Sequence, residues 1–178
     1  WDLGRPERLE TWFEQNPASY WHATLLARSG RPEAARAMLQ TPGIDDSDER
    51  RILRDWQNMA HGQIAFEEGR YQEALDYLAE DFYLHISARH AQQLLINTRA
   101  RAHLALGQVD QAVADLESSR KQKMGVIQAR GSVWFWQRNL YDLSELYDSI
   151  GETRKAENVR AELAATLRLA DSDHPFIM

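Results

Sequence analysis

The stretch GRYQEALDYL, residues 69–78, has three weaker relatives in the same chain: GRPEAARAML from 30, GQVDQAVADL from 107 and GETRKAENVR from 151. Aligned on Gly30, Gly69, Gly107 and Gly151, the four phrases share an alanine five residues on, at Ala35, Ala74, Ala112 and Ala156. Seven residues before each glycine stands a small residue: Ala23, Gly62, Ala100 and Ser144. Nine residues after it stands Leu39, Leu78 or Leu116, and Arg160 in the fourth phrase.

These columns describe a helix, a tight turn and a second helix. Glycine after a helix adopts the left-handed conformation that closes its C-terminus. The small residue two turns before the glycine lets the second helix approach. The alanine after the glycine is the matching close contact, and the leucine fills the space beneath it. The frames recur at spacings of 39, 38 and 44 residues. A repeat of that length holding one helical hairpin predicts an array in which neighbours share a core that no single hairpin could bury.

The flanks support this reading. Asn16 before Pro17 marks a helix start, Ser47 opens a long helical run, and Ser87 and Ser132 are placed to cap two more. In the last run Val133, Trp136, Leu140, Leu143, Tyr147 and Ile150 step by 3,4,3,4,3, which is one helical face. Convincing strand alternation is absent. The expected organisation is all-α and one domain over 1–178: a leading helix near 6–15, then hairpins near 17–40, 47–80, 87–122 and 133–170.

Several function classes are disfavoured. The net charge of −6 lacks the dense positive surface that nucleic-acid binding requires. The chain has no cysteine, which removes disulfides, thiolate catalysis and cysteine-based zinc sites. The histidines form no metal pattern: His85 and His90 are five apart, and His61 and His103 stand at non-equivalent offsets. Carboxylates are plentiful but none forms an evident acid/base pair. The expectation is a non-enzyme without cofactor. No apolar run reaches the length of a membrane span, so no insertion by this segment is expected. The chain opens on Trp1, which suggests a fragment of a longer one. A cytoplasmic setting is favoured, with membrane-tethered and periplasmic settings left open.

The run HGQIAFEEGRYQEALDYL places a small residue at Gly62, the turn at Gly69, an aromatic at Tyr71 and an alanine at Ala74. In these positions the chain resembles the tetratricopeptide-repeat (TPR) superfamily. The likeness covers roughly residues 17–163 and is good only in the second unit. The usual family repeat is 34 residues, so this is a long-repeat, divergent version. The aromatic after the glycine is replaced by Pro32, Val109 and Thr153 elsewhere. The resemblance implies a right-handed α-solenoid whose first helices line a concave, peptide-holding face. Family groove positions fall on Met59, Gln63 and Phe66, on Leu94, Asn97 and Arg101, and on Arg138, Tyr141 and Glu145. The competing reading makes Met59, Phe66 and Leu94 inter-repeat core and the charged residues solvated surface. The Lys/Asn set with which some TPR proteins clamp a terminal carboxylate is missing; Asn97 fits one position, but no lysine lies on the wall.

Two further features bear on binding. Trp134 and Tyr141, seven apart, lie off the apolar face of their helix and close to Arg138 in sequence, a hot-spot composition; the alternative is that Trp134 packs on the connection 121–132. The segment DSDHPFIM, 171–178, owns no core, and its apolar Phe176, Ile177 and Met178 either fold back to cover the exposed end of the last hairpin or insert into a neighbour's groove. In the groove case the ligand it suggests is a short apolar peptide with an aromatic anchor, held against Tyr141 and Phe66. The function expected is a protein–protein interaction scaffold for a protein or peptide partner, with self-association as a further outcome. The alternative is a regulatory or sensor domain that docks on a kinase, ATPase or transcription-factor domain of the same larger chain.

Overall fold

Glycine is needed where a chain must turn with positive φ, and Gly30, Gly69, Gly107 and Gly151 have φ between +72° and +81° in the computed structural model. The model describes residues 20–39, 51–78, 89–122, 132–168 and 176. At all four glycines the hydrogen bonding is the same. Gly69 N–H donates to the Phe66 carbonyl (3.0 Å) and Arg70 N–H to the Ala65 carbonyl (2.9 Å). The equivalent pairs close the helices before Gly30, Gly107 and Gly151. This is the Schellman closure, which satisfies carbonyls that a helix end would otherwise strand.

The turns separate eight helices among the described residues: α1 (Tyr20–Arg28), α2 (Pro32–Leu39), α3 (Arg51–Glu67), α4 (Tyr71–Leu78), α5 (Arg89–Ala105), α6 (Val109–Lys121), α7 (Ser132–Ser149) and α8 (Thr153–Leu167). The described residues contain no strand, so the described chain is all-helical. The expected hairpins correspond to α1/α2, α3/α4, α5/α6 and α7/α8. The leading helix and the caps at Asn16, Ser47 and Ser87 lie outside the described residues.

The chain, read as one array from its sequence, divides into two compact units, Trp1–Tyr83 and Leu84–Met178. Each holds two hairpins arranged alike. In the first unit α3 packs on α1, on α2 and on its own partner α4. In the second, α7 packs on α5, on α6 and on its own partner α8. The first helix of the later hairpin is therefore the most enclosed element of each unit.

The small-residue columns explain the close approach. Ala35, Ala74, Ala112 and Ala156 are fully buried, as are Ala23, Ala100 and Ser144. Gly62 gives the clearest case: a Cβ built there would lie 2.6 Å from Cγ of Leu78. The small residue of one helix and the leucine of the other occupy the same space. Gly62→Ala is therefore expected to cost roughly 1–3 kcal/mol by overpacking, offset in part by the ~1 kcal/mol that alanine gains over glycine in a helix. A double-mutant cycle with Leu78→Ala, followed by urea denaturation, should show the Gly62→Ala penalty removed once the leucine is gone. Additive effects would contradict the contact.

On α7, Trp136, Leu140, Leu143 and Tyr147 are buried, whereas Val133 and Ile150 at the ends of the same stripe are exposed. The buried four join Leu116, Val159 and Leu163 in the core of the second unit. Among the described residues of the first unit, Leu26, Ala27, Ala35, Ala60 and Ile64 form an alanine-rich cluster.

Candidate functional site

The ten residues expected to face a ligand divide by burial. Met59, Gln63, Phe66, Leu94 and Asn97 are buried, and Leu94 has no exposed surface at all. Their surface is covered by the protein itself. Phe66 stacks at a tilt on Tyr71, with centroids 5.6 Å apart, and Gln63 donates to Glu67 (2.7 Å). Arg101, Trp134, Arg138 and Tyr141 are half-buried and Glu145 is exposed. The accessible candidates are thus mainly those of α7.

Four of these follow one flank of α7 at helical spacing: Trp134, Arg138, Tyr141 and Glu145. Phe176 is seated on the first three turns. Its ring lies 5.7 Å from Trp134 at 46° and 5.7 Å from Tyr141 in a stacked arrangement at 30°. These are favourable separations for aromatic pairs. Phe135 meets Trp134 edge-on at 5.1 Å. The Arg138 guanidinium carbon lies 5.8 Å from the Tyr141 ring centroid, within cation–π range. Glu145 pairs with Arg160 of α8 (3.3 Å). Phe176 makes its contact within the chain, as in the folded-back reading of the 171–178 segment, and the contact falls on Trp134 and Tyr141, two of the residues expected to face a ligand. The remainder of that segment lies outside the described residues, as does the connection on which Trp134 was alternatively expected to pack.

Arg138 is held in place from beneath. Its Nε donates to Asp142 Oδ1 (2.8 Å), and Asp142 Oδ2 accepts from Asn97 Nδ2 (2.8 Å). Asn97 also donates to Asn139 Oδ1 (2.9 Å). Asn139 in turn donates to Ser119 Oγ (2.9 Å) and to the Gln93 backbone carbonyl (3.0 Å). Ser119 donates to Gln93 Oε1 (2.5 Å), and Gln93 Nε2 donates to Gln122 Oε1 (3.0 Å). A continuous polar chain thus joins α5, α6 and α7, and Gln93, Asn97, Ser119 and Asn139 within it are almost wholly buried. Buried polar groups are tolerated at such density only when partnered in this way. Asn97, expected as a ligand contact, acts here by orienting Asp142 and through it Arg138.

The network was not anticipated from the sequence, although a signal was present. Asn139 stands three residues after Trp136 and four before Leu143, a polar side chain among core positions. Ser119 likewise stands on the core side of its helix, three residues after Leu116 and seven after Ala112.

Other charged groups fasten the hairpins. Asp115 accepts from Arg99 Nη2 (2.9 Å) and lies 3.7 Å from His103 Nε2, tying α6 to α5. Burial pushes its carboxyl above the usual aspartate range, opposed by the charges of Arg99 and His103. Tyr147 donates to Glu117 (2.9 Å), and its hydroxyl is pushed up to about 12, first by burial and then by this bond. Arg120 reaches Glu162 of α8 (2.8 Å). Among the described residues no cluster of three or more His, Cys, Asp or Glu has metal-binding geometry. No described helix is long and apolar enough to cross a membrane.

No protein-family model, curated protein or solved structure matches this chain.

Proposed function

We propose that the chain is a protein–protein interaction module, a TPR-like right-handed solenoid of helical hairpins, and that the Trp134–Arg138–Tyr141 flank of α7 holds a peptide through an aromatic anchor. The observation that carries this reading is the seat of Phe176, a side chain from outside the helical hairpins stacked on that flank. A surface that accepts one phenylalanine offers the same two π-faces to another.

The chemistry of the flank fits such a role. Trp, Tyr and Arg are the residues that dominate binding hot spots. Trp134 and Tyr141 supply rigid aromatic area. Arg138 is pre-positioned by Asp142, which limits the ordering cost of its contacts. With Nε bonded to Asp142, its terminal nitrogens are the donors with which it would meet an incoming backbone carbonyl or carboxylate. Within the same unit, buried Asn97 bonds Asp142 beneath Arg138, and exposed Glu145 continues the flank as polar rim.

The test is a library of phenylalanine-containing octapeptides screened for binding to the intact chain and to its Tyr141→Ala variant. Tyr141 is half-buried at the edge of the core, so far-UV circular dichroism first checks that the variant keeps its fold. Peptides retained by the wild type should lose about 2 kcal/mol or more on this change, the loss that defines a hot-spot residue. Retention that is indifferent to both Tyr141→Ala and Arg138→Ala would reject the α7 flank as the site.

A further inference from the structure

We infer that the groove between α7 and α8 is a seat for an amphipathic α-helix of a partner protein, which lies across α7 and α8 as α7 lies across α5 and α6 and donates an asparagine amide to Gln137. This rests on reading the α7 flank as a binding surface and names the conformation of what it binds.

The repeat register carries the inference. Counted from Gly107 and Gly151, Gln93 of α5 and Gln137 of α7 hold the same position, and so do Gln122 and Thr166. Each glutamine donates its amide to that partner, Gln93 to Gln122 (3.0 Å) and Gln137 to Thr166 (3.3 Å). On α5 the glutamine's oxygen is used as well. Gln93 Oε1 accepts from Ser119 Oγ (2.5 Å) and from Asn139 Nδ2 of the next first helix (3.3 Å). On α7 the register puts Leu163 in the place of Ser119, and Gln137 Oε1 accepts no hydrogen bond from a described residue. Gln137 is nevertheless 7% exposed. Buried polar atoms are ordinarily partnered, and a buried amide oxygen without its donor fits an incoming one.

The surface beside Gln137 has room for a helix. α7 meets α6 at Glu117, which accepts from Tyr147, and at Ser119, which accepts from Asn139. The register places Ala161 at the position of Glu117 and Ala164 at that of Arg120, and both alanines are exposed. How near two helix axes come depends on the side chains at the contact, and alanine allows a close approach. Arg160, paired with Glu145 (3.3 Å), forms a charged rim. Phe176, seated on Trp134 and Tyr141, belongs to the α7 wall, and the helix lies on its α8 side, where Gln137 reaches Thr166. The ligand class is a helix with apolar residues on one face and an amide donor among them, bound in the helix-in-groove manner.

The probe is a phage-displayed peptide library patterned on Ser132–Ser149, the helix that fills the equivalent seat on α5 and α6. Its Asn139 is kept, the neighbouring apolar positions are randomised, and selection is on the intact chain. Enriched peptides are then titrated by fluorescence anisotropy against wild type, Ala161→Arg, Ala164→Arg, Gln137→Met and Tyr141→Ala. Both alanines are exposed, so the arginine variants keep the fold and obstruct only the groove. Each should weaken binding about tenfold or more. Gln137→Met and the peptide's own Asn139→Leu should each weaken it about tenfold, and together no further, because both remove one bond. Should Gln137→Met fail to fold, the peptide's Asn139→Leu takes its place. Affinity indifferent to the arginine variants, or to loss of the amide pair, would overturn the inference. If Tyr141→Ala abolishes that binding, the α7 flank binds peptide and only the helical seat is wrong. A library without a binder overturns the seat, while the octapeptide screen separately decides the flank.

Discussion

Asn139→Leu is expected to lower the unfolding free energy by roughly 2–4 kcal/mol, although leucine is close in size and the position is in the core. Asn139 is wholly buried and joins both sides of the polar chain in the second unit. Its loss takes a donor from the Gln93 backbone carbonyl and from Ser119, and an acceptor from Asn97. Each buried group left unpaired costs about 1–3 kcal/mol, which outweighs the extra apolar burial of one leucine. Urea denaturation followed by far-UV circular dichroism reads the change. A variant as stable as the wild type would show that the network contributes packing only. Loss of the network should also loosen Arg138, since Asn97 and Asp142 form the link between them.

Leu143→Ala should cost about 2–5 kcal/mol, the range for a buried leucine whose site cannot collapse. Leu143 has no exposed surface and lies on the most enclosed helix of its unit. Ile150→Ala, on the same stripe seven residues on, should change stability by about 0.5 kcal/mol, because that side chain is 45% exposed. The contrast is the informative quantity. Equal effects would mean that α7 is less enclosed at its centre than its contacts with α5, α6 and α8 indicate.

The same pair of residues illustrates how much could be read in advance. The 3,4 stepping from Val133 to Ile150 identifies the helix and its apolar side, because periodicity is a local property of the chain. It cannot say where along the stripe the neighbouring helices begin and end, and so Val133 and Ile150 look equivalent to Leu140. The glycine frame was legible for a stronger reason. Positive φ at Gly30, Gly69, Gly107 and Gly151 is a demand that few residues other than glycine meet, and the recurrence of alanine five residues later follows from a contact within one hairpin. The candidate site was less accessible to reading. Met59, Gln63, Phe66, Leu94 and Asn97 were assigned from a family register, and which side of a first helix remains open depends on what packs against it. The hydrogen bonds of Asn139 reach residues 20, 42 and 46 positions away in sequence. No local pattern encodes such pairings. Tyr141 and Trp134 were identified because they depart from the apolar stripe of their own helix, again a local signal.

The most direct measurement of the central claim, that the flank of α7 is a peptide-binding surface, is backbone amide chemical-shift mapping of the intact chain titrated with a pool of phenylalanine-containing octapeptides. The account predicts that the perturbed amides concentrate between residues 134 and 145 and around Phe176, and that Tyr141→Ala suppresses them. Perturbations confined to other helices, or a spectrum unchanged at saturating peptide, would contradict it.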